Sequence, residues 1–223
     1  MVGLIYYFGT SQILINKGDG TFADETPPEI TDENGMGASV GDFNGDGDFD
    51  WFVTSIWDED EVSEGTWGVT GNRLYQGDGQ GGFEDVTDAA GVAEGYWGWG
   101  SCFADFNNDG NLDIFHVNGF SMSSDPTFIN DPSRLFISNG DDTFTERSVE
   151  LNLIDDGNGR GVVCFDYDRD GDIDVFVANN QGAPKLFRNN GGNANKYITV
   201  KLNGPSDNTQ GIGAKITVVA GGK

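Results

Sequence analysis

The sequence contains three acidic nine-residue stretches of one pattern, and this repetition constrains the fold more than any other feature. "DFNGDGDFD" occupies residues 42–50, "DFNNDGNLD" residues 105–113 and "DYDRDGDID" residues 166–174. Their first residues lie 63 and 61 residues apart. A near-constant period of this size indicates a chain built from repeated structural units.

Short apolar runs recur with the same period as these acidic stretches. A Gly-rich entry leads into one run before each of them: "GMGASVGDF", "GWGSCFADF" and "GRGVVCFDY". A second run follows each stretch, a third comes later in each unit, and a fourth, "GGFEDVT" or "DTFTERS", completes the first two units. The runs are rich in β-branched and aromatic residues and are bounded by Gly, Asn and Asp, as strands are. No segment sustains an apolar period of 3.6 residues, so we expect almost no helix.

The pattern predicts an all-β fold in which each unit is a β-propeller blade of four antiparallel strands. We expect about three complete blades and a partial one, as in a fragment of a larger propeller. The predicted blades are 37–90, 97–149 and 159–192, with a partial blade at 1–30 in which 3–8 end a second run and 11–26 hold the third and fourth. Residues 193–223 would form a final blade strand or open a further segment. The insertions at 57–71 and 119–132 are expected to be surface loops.

The nine-residue stretches suit a hard divalent cation, which prefers six to eight oxygen ligands when it is calcium. Side chains at positions 1, 3, 5 and 9 can converge on one point, joined by the carbonyl at position 7. The candidate ligands are Asp42, Asn44, Asp46, Asp48 and Asp50 in the first loop, Asp105, Asn107, Asp109, Asn111 and Asp113 in the second, and Asp166, Asp168, Asp170, Asp172 and Asp174 in the third. We therefore predict about three Ca²⁺ sites.

Two further positions of the loop carry structural expectations. The glycine at position 6 permits the positive φ that turns the chain around an ion; these glycines are Gly47, Gly110 and Gly171. The apolar residue at position 8 should face away from the ion and anchor the loop in an apolar layer; these residues are Phe49, Leu112 and Ile173.

Other interpretations of the loops fit less well. An EF-hand requires a Glu at position 12, where this chain has Val53, His116 and Val177, and it requires flanking helices. Magnesium keeps more of its water, and zinc would need His or Cys in the cluster. A plain solvated Asx-rich turn is the alternative for any one loop, but three loops in register argue against it.

Charge, hydropathy and cysteine content indicate which partners and which covalent links the chain is expected to have. The formal charge of −25 comes from 37 Asp and Glu against 12 Lys and Arg, which opposes binding to nucleic acid or an anionic membrane. No apolar run reaches the length of about 18 residues that a membrane span needs, and the first residues make a poor signal peptide. Cys102 and Cys164 lie three and two residues before their loops. This offset places them on opposite faces of equivalent strands, so we expect two buried thiols and no disulfide between them.

Taken together, "DFNGDGDFDWFV", "DFNNDGNLDIFH", "DYDRDGDIDVFV" and "NKGDGTFADET" resemble FG-GAP/VCBS repeats over nearly the whole chain. The resemblance implies an integrin-α-like propeller with a calcium loop in each blade, a secreted, extracellular or periplasmic location, and a role in adhesion or ligand binding. The segment "NKYITVKLNGPSDNTQGIGAKITVVAGG" is similar to the opening of an ASPIC/UnbV domain.

Other residues give weaker indications of chemistry. His116 has no second His or Cys to join it and is expected to be a packed or surface strand residue. The aromatic residues Trp51, Trp57, Trp67, Tyr96, Trp97 and Trp99 suit either blade packing or sugar stacking. The stretch at 58–64 is expected to be a solvated acidic loop. No nucleophile–base pair or phosphate cradle is evident.

We therefore expect a calcium-stabilised, non-enzymatic propeller region that recognises a protein or glycan ligand. A carbohydrate-binding or carbohydrate-active propeller is the alternative. A structural module that self-associates through open blade edges is a third possibility.

Overall fold

The computed structural model describes residues 2–3, 10–58, 70–121 and 126–219. Within these ranges the fold is nearly all β, built from four antiparallel sheets that follow one another along the chain. This architecture confirms the predicted class of propeller blades. The helical segments in these ranges are one α-turn, Thr87–Ala90, and two 3-10 turns, Pro126–Phe128 and Gly192–Ala194, and none of them could span a membrane.

Each sheet is a meander in which sequential strands pair. The first sheet contains β1 (Val2–Gly3), β2 (Gln12–Asn16) and β3 (Phe22–Asp24); the second contains β4 (Gly37–Gly41), β5 (Asp50–Thr54), β6 (Arg73–Gly77) and β7 (Phe83–Asp85); the third contains β8 (Gly98–Ala104), β9 (Asp113–Asn118), β10 (Arg134–Ser138) and β11 (Phe144–Glu146); the fourth contains β12 (Gly159–Phe165), β13 (Asp174–Asn179) and β14 (Lys185–Phe187). Residues 195–219 form turns and irregular segments.

The acidic loops connect the first and second strands of the last three sheets. Each loop ends with the Asp that begins the second strand, and these residues are Asp50, Asp113 and Asp174. The second strands β5 and β9 are buried along their whole length, and β13 is buried at three of its six residues, Asp174 among them. The loops are therefore held at the edge of the apolar core.

Neighbouring sheets pack through their first strands, with β4 against β8 and β8 against β12. Apolar side chains fill the spaces between the sheets. One cluster joins Phe43, Phe52 and Leu74 to Ile114 and Phe136, and another joins residues of β8–β10 to Val175 and Val177. Such burial contributes about 25 cal/mol per Å² of apolar surface and is the main stabilising term.

The structure joins Cys102 and Cys164 in a disulfide, with their Cα atoms 6.5 Å apart, so the prediction of two unpaired thiols is wrong. Their side chains do point to opposite faces of equivalent strands. In stacked sheets, however, the face of one sheet meets the opposite face of the next. The hydroxyls of Ser39 and Ser101 meet in the same way between the second and third sheets, 3.2 Å apart. Opposite faces therefore favour contact between neighbouring blades.

The position 8 residues do not all anchor their loops. Leu112 lies against Gly41, and Ile173 packs into the cluster that contains Ala104. Leu112 thus contacts β4 of the preceding sheet, and Ile173 joins the apolar layer between the third and fourth sheets. Phe49 is 74% exposed, which contradicts the prediction for this residue. The described part of the first sheet has no strand that corresponds to β4 or β8, so nothing there covers Phe49.

The insertion at 119–132 is more than a surface loop. Phe128 and Asp131 are buried, and Phe128 packs against Trp97 with ring centroids 5.0 Å apart. Residues 59–69 of the other insertion, which include Trp67 and most of the acidic stretch 58–64, lie outside the described residues, as do residues 4–8 of the predicted partial blade.

Candidate metal sites

The three loops share one backbone conformation. The position 6 glycines have φ values of 92° for Gly47, 92° for Gly110 and 98° for Gly171, as the turn requires. Position 4 is also left-handed, although only Gly45 is a glycine there, and Asn108 and Arg169 have φ values of 54° and 65°. Two left-handed residues per loop turn the chain back on itself between the first and second strands.

The Asp at position 1 is fixed by the turn that it helps to form. The backbone N–H of the position 6 glycine donates to it at 3.0 Å in the first loop, 2.9 Å in the second and 3.2 Å in the third. These acceptors are Oδ2 of Asp42, Asp105 and Asp166. Because a carboxylate has about four acceptor positions, each of these Asp residues keeps capacity for another partner.

The Asp at position 9 joins the loop to the third strand. Asp113 accepts the N–H of Phe106 at 3.0 Å and that of Ser138 at 2.9 Å, one on each oxygen. Asp50 and Asp174 are held in the same way by N–H groups of position 2 and of the residue at or just beyond the third strand's end. A single buried carboxylate thus connects three segments of each blade.

Positions 3 and 5 form a ladder of short-range hydrogen bonds. Asn44 accepts the N–H of Asp46 at 3.1 Å, and Asp46 accepts that of Asp48 at 2.8 Å. Asn107 and Asp109 repeat this arrangement in the second loop. The loops are therefore ordered by their own polar groups.

Three acids converge in the third loop. Ligand oxygens of Asp166, Asp168 and Asp174 lie within 4.8 Å of one another, a spacing that one ion could bridge. The first and second loops have an Asn at position 3, so only two acids stand at the corresponding positions there. The carboxylate of Asp170 is turned towards Arg188, with Oδ2 3.0 Å from the guanidinium.

Two loop carboxylates have a buried oxygen without a hydrogen-bond partner among the described residues. They are Oδ1 of Asp42 in the first loop and Oδ1 of Asp172 in the third. A buried, unpaired carboxylate oxygen is costly. An ion at the centre of the first loop would give Oδ1 of Asp42 a partner, so the residues present fit a hard cation. Asp172 is at position 7, where the expected ligand is the carbonyl, and its side chain lies against Gly192 and Asn193.

The electrostatics of the loops also fit a cation. Burial raises the pKa of Asp50 to about 6 and that of Asp113 to about 7, and the charges of neighbouring loop acids add to each shift. Burial, followed by its hydrogen bond with Asp170, raises the pKa of Asp172 to about 6. Without a counter-charge, these carboxylates are held in an environment that disfavours their ionised form.

Some residues at the loops were not anticipated from the sequence. Arg188 forms ion pairs with Asp168 and Asp170 of the third loop. Lys215 donates to the carbonyl of Gly47 in the first loop at 2.7 Å. The sequence signal for Arg188 is its place directly after "KLF", where the equivalent runs have Gln76 and Ile137. A basic residue near an acidic loop is detectable only once the strands are aligned.

The remaining candidates serve packing. His116 is fully buried, its ring 2.7 Å from Asn118 Oδ1, and burial lowers its pKa to about 3. Trp51 and Trp97 are buried. The half-buried Trp99 lies under the guanidinium of Arg160, 3.8 Å from the ring centroid. Trp57 and Tyr96 are half-buried, and their backbones are hydrogen-bonded to each other.

A cavity of about 680 Å³ lies between the third and fourth sheets. Its walls include Leu135 and Ile137 of β10 and Leu186 and Phe187 of β14. No carboxylate lines it within the part of the chain that the structure describes. The cavity therefore offers no acid/base pair.

Comparisons with known proteins agree with this architecture. A family model described as an FG-GAP-like repeat matches residues 2–53, 62–116, 127–177 and 166–219. Cartilage acidic protein 1 of Homo sapiens is 29% identical over 210 residues, which cover 86% of this chain and 28% of that protein. The Mus musculus protein of the same name is 28% identical, with 86% and 29% covered. The chain thus spans less than a third of the length of these relatives. The four matches extend over most of the chain, which therefore belongs to the FG-GAP-like repeat family.

Proposed function

We propose that this chain is a calcium-binding region of a β-propeller, in which one Ca²⁺ per acidic loop stabilises the blades. The ligands would be the side chains at positions 1, 3, 5 and 9 and the carbonyl at position 7. The observation that carries the proposal is the convergence of Asp166, Asp168 and Asp174 within 4.8 Å, together with a buried unpaired oxygen on Asp42, the position 1 side chain of the first loop. Calcium is favoured over magnesium because the loop offers many protein oxygens and a flexible geometry.

The stabilising effect of an ion bound at a loop would reach the rest of the blade through the Asp at position 9. Asp113 accepts N–H groups from both the loop and β10, so fixing its charge fixes two segments at once. The ion supplies the positive charge that the clustered acids lack. Because the loop forms its sites only in the folded chain, ion binding contributes directly to folding stability.

We further propose that the region works outside the cytoplasm, in recognition or adhesion and without catalysis. The disulfide between Cys102 and Cys164 supports an oxidising compartment. The family match and the similarity to cartilage acidic protein 1 support a repeat protein of recognition type. The alternative of a carbohydrate-active propeller finds less support, because Trp51 and Trp97 are buried and the cavity lacks acids.

Calorimetric titration of calcium into the chelated protein, paired with thermal unfolding, tests this function. We expect about three bound ions, a fall in melting temperature of many degrees on chelation, and its recovery with calcium. Asp46→Ala should remove one site and leave two. Asp19→Ala is a matched control, because Asp19 is an exposed residue of the turn between β2 and β3, outside the three loops. Unchanged melting in excess chelator, with no heat of binding, would contradict the proposal.

A further inference from the structure

The third loop differs from the other two in charge. At position 3 it has Asp168, where the first and second loops have Asn44 and Asn107. At position 7 it has Asp172, where the first loop has Asp48 and the second has Asn111, and Oδ1 of Asp172 is buried without a hydrogen-bond partner among the described residues. All five odd positions of this loop are therefore acidic, and the repulsion among them is the largest of the three loops.

The same loop has a cation of its own. Arg188 Nε lies 2.8 Å from Asp168 Oδ2, and its terminal nitrogen lies 3.0 Å from Asp170 Oδ2. The planar guanidinium thus spans two loop carboxylates, a geometry that a lysine ammonium could not reproduce. The side chains of Asp168 and Asp170 are 23% and 26% exposed and that of Arg188 is 51% exposed, so both ion pairs are open to solvent.

The equivalent residues of the other blades carry no charge. Gln76 follows the same run in the second sheet, and its amide is 3.4 Å from Asp46 Oδ2. Ile137 takes this place in the third sheet and is buried among apolar residues. The extra acid at position 3 and the basic residue after the third run therefore occur in the same blade. In this blade, the positive charge of the basic residue offsets the negative charge of the extra acid.

We propose that Arg188 is the internal counter-ion of the third loop, which orders the loop without metal and makes it the weakest divalent-cation site of the three. This inference rests on the proposed function for its metal part. The guanidinium attracts the same carboxylates that a cation would use and repels the cation itself. Removing it should therefore destabilise the metal-free loop and tighten metal binding there, two effects of opposite sign.

The metal-free part is tested by a double-mutant cycle with Arg188→Gln and Asp168→Asn in chelator. Arg188→Gln should lower the equilibrium constant for folding several-fold. In the Asp168→Asn background, the factor by which Arg188→Gln lowers this constant should be at least three times smaller. Arg147→Gln is the matched control, because it removes an exposed Arg–Glu pair away from the loops and should not couple to Asp168. Additive effects in the cycle would overturn the counter-ion role.

The metal part is tested by calcium titration followed by NMR. The amides of Gly47, Gly110 and Gly171 each donate to the position 1 Asp of their own loop and so report the loops separately. In the wild type, Gly171 should titrate at the highest calcium concentration. Arg188→Gln should tighten binding at Gly171 about tenfold and leave the other two amides unchanged. Arg188→Lys keeps the charge and should retain weak binding.

Each outcome of the titration bears on one claim. Unchanged or weaker binding at Gly171 in Arg188→Gln would overturn the assignment of Arg188 as a competitor of the metal. The double variant Arg188→Gln with Asp168→Asn has the composition of the first loop at both positions and should bind as that loop does. If no glycine amide of the wild type responds to calcium, the proposed function fails, while the metal-free cycle still decides the counter-ion role.

Discussion

At the scale of single residues, each loop depends on one buried acid with two duties. The position 9 Asp closes the blade by accepting two backbone N–H groups, and it also faces the acids that would hold the cation. Asp113 is fully buried at this junction. Ionising a carboxylate in this setting is unfavourable without a cation and favourable when a cation is bound beside it. This conflict makes the metal-free protein sensitive to pH.

We predict that the metal-free protein loses stability through Asp113 as the pH rises. Its pKa is raised from 3.8 to about 7 in the folded chain, chiefly by burial. A raised folded pKa means that this stability is fully present below the unfolded pKa and is lost between about pH 4 and 7. The free energy of unfolding of the wild type minus that of Asp113→Asn, both measured in urea, should therefore decline as the pH rises across this range.

Two controls sharpen the pH experiment. His116 has a pKa near 6.5 in the unfolded chain and about 3 in the folded chain, so its contribution to stability rises with pH. Both proteins contain His116, so this contribution cancels in the difference between their free energies of unfolding. Added calcium should reverse the decline, since an ion favours the charged carboxylate. A free-energy difference that stays constant from pH 4 to 7 would contradict the account of Asp113.

At the scale of elements, the sequence could predict the strands and loops but not how the sheets meet. The period, the runs around each loop and the glycines at position 6 are local signals, and Gly47, Gly110 and Gly171 have the predicted positive φ. The Cys102–Cys164 disulfide and the exposure of Phe49 depend on which faces meet between blades. Arg188 was missed for a different reason, because its contacts with the third loop lie within one blade and require the strands of that blade to be in register.

We predict that the disulfide stabilises the stack of the third and fourth sheets. It links β8 to β12 across 62 residues, and a loop of this length corresponds to on the order of 4 kcal/mol of lost unfolded-state entropy. The variant with Cys102→Ser and Cys164→Ser should lose a large part of that free energy in chemical denaturation.

The pair Ser39→Ala and Ser101→Ala is the matched control, because these hydroxyls meet at the same kind of junction without a covalent bond. Its expected loss is about 1 kcal/mol or less. Equal losses in the two double variants would show that the covalent link adds nothing.

At the scale of the whole molecule, the dominant feature is acidity. A formal charge of −25 produces self-repulsion, and three divalent ions would reduce it only to −19. The ions would thus relieve crowding at three places and leave the surface acidic. Val163 of the fourth sheet is exposed, whereas its equivalents Ser39 and Cys102 contact the following sheet.

We predict that monovalent salt partly replaces calcium in stabilising the chain. Raising NaCl from about 20 mM to about 0.5 M shortens the screening length to several ångströms and weakens repulsion among exposed acids. The melting temperature of the chelated protein should rise, and that of the calcium-loaded protein should rise less. Equal shifts in both states would mean that the loops contribute little to the repulsion.

The most direct test of the account is a crystal structure grown in calcium, with anomalous data collected at long wavelength. We predict one calcium peak in each of the three loops, with oxygens from positions 1, 3, 5, 7 and 9 at about 2.3–2.6 Å. The peak of the third loop should have the lowest occupancy at limiting calcium, with Arg188 beside it. A chain folded as described here, with no peak in any loop at saturating calcium, would contradict the central claim.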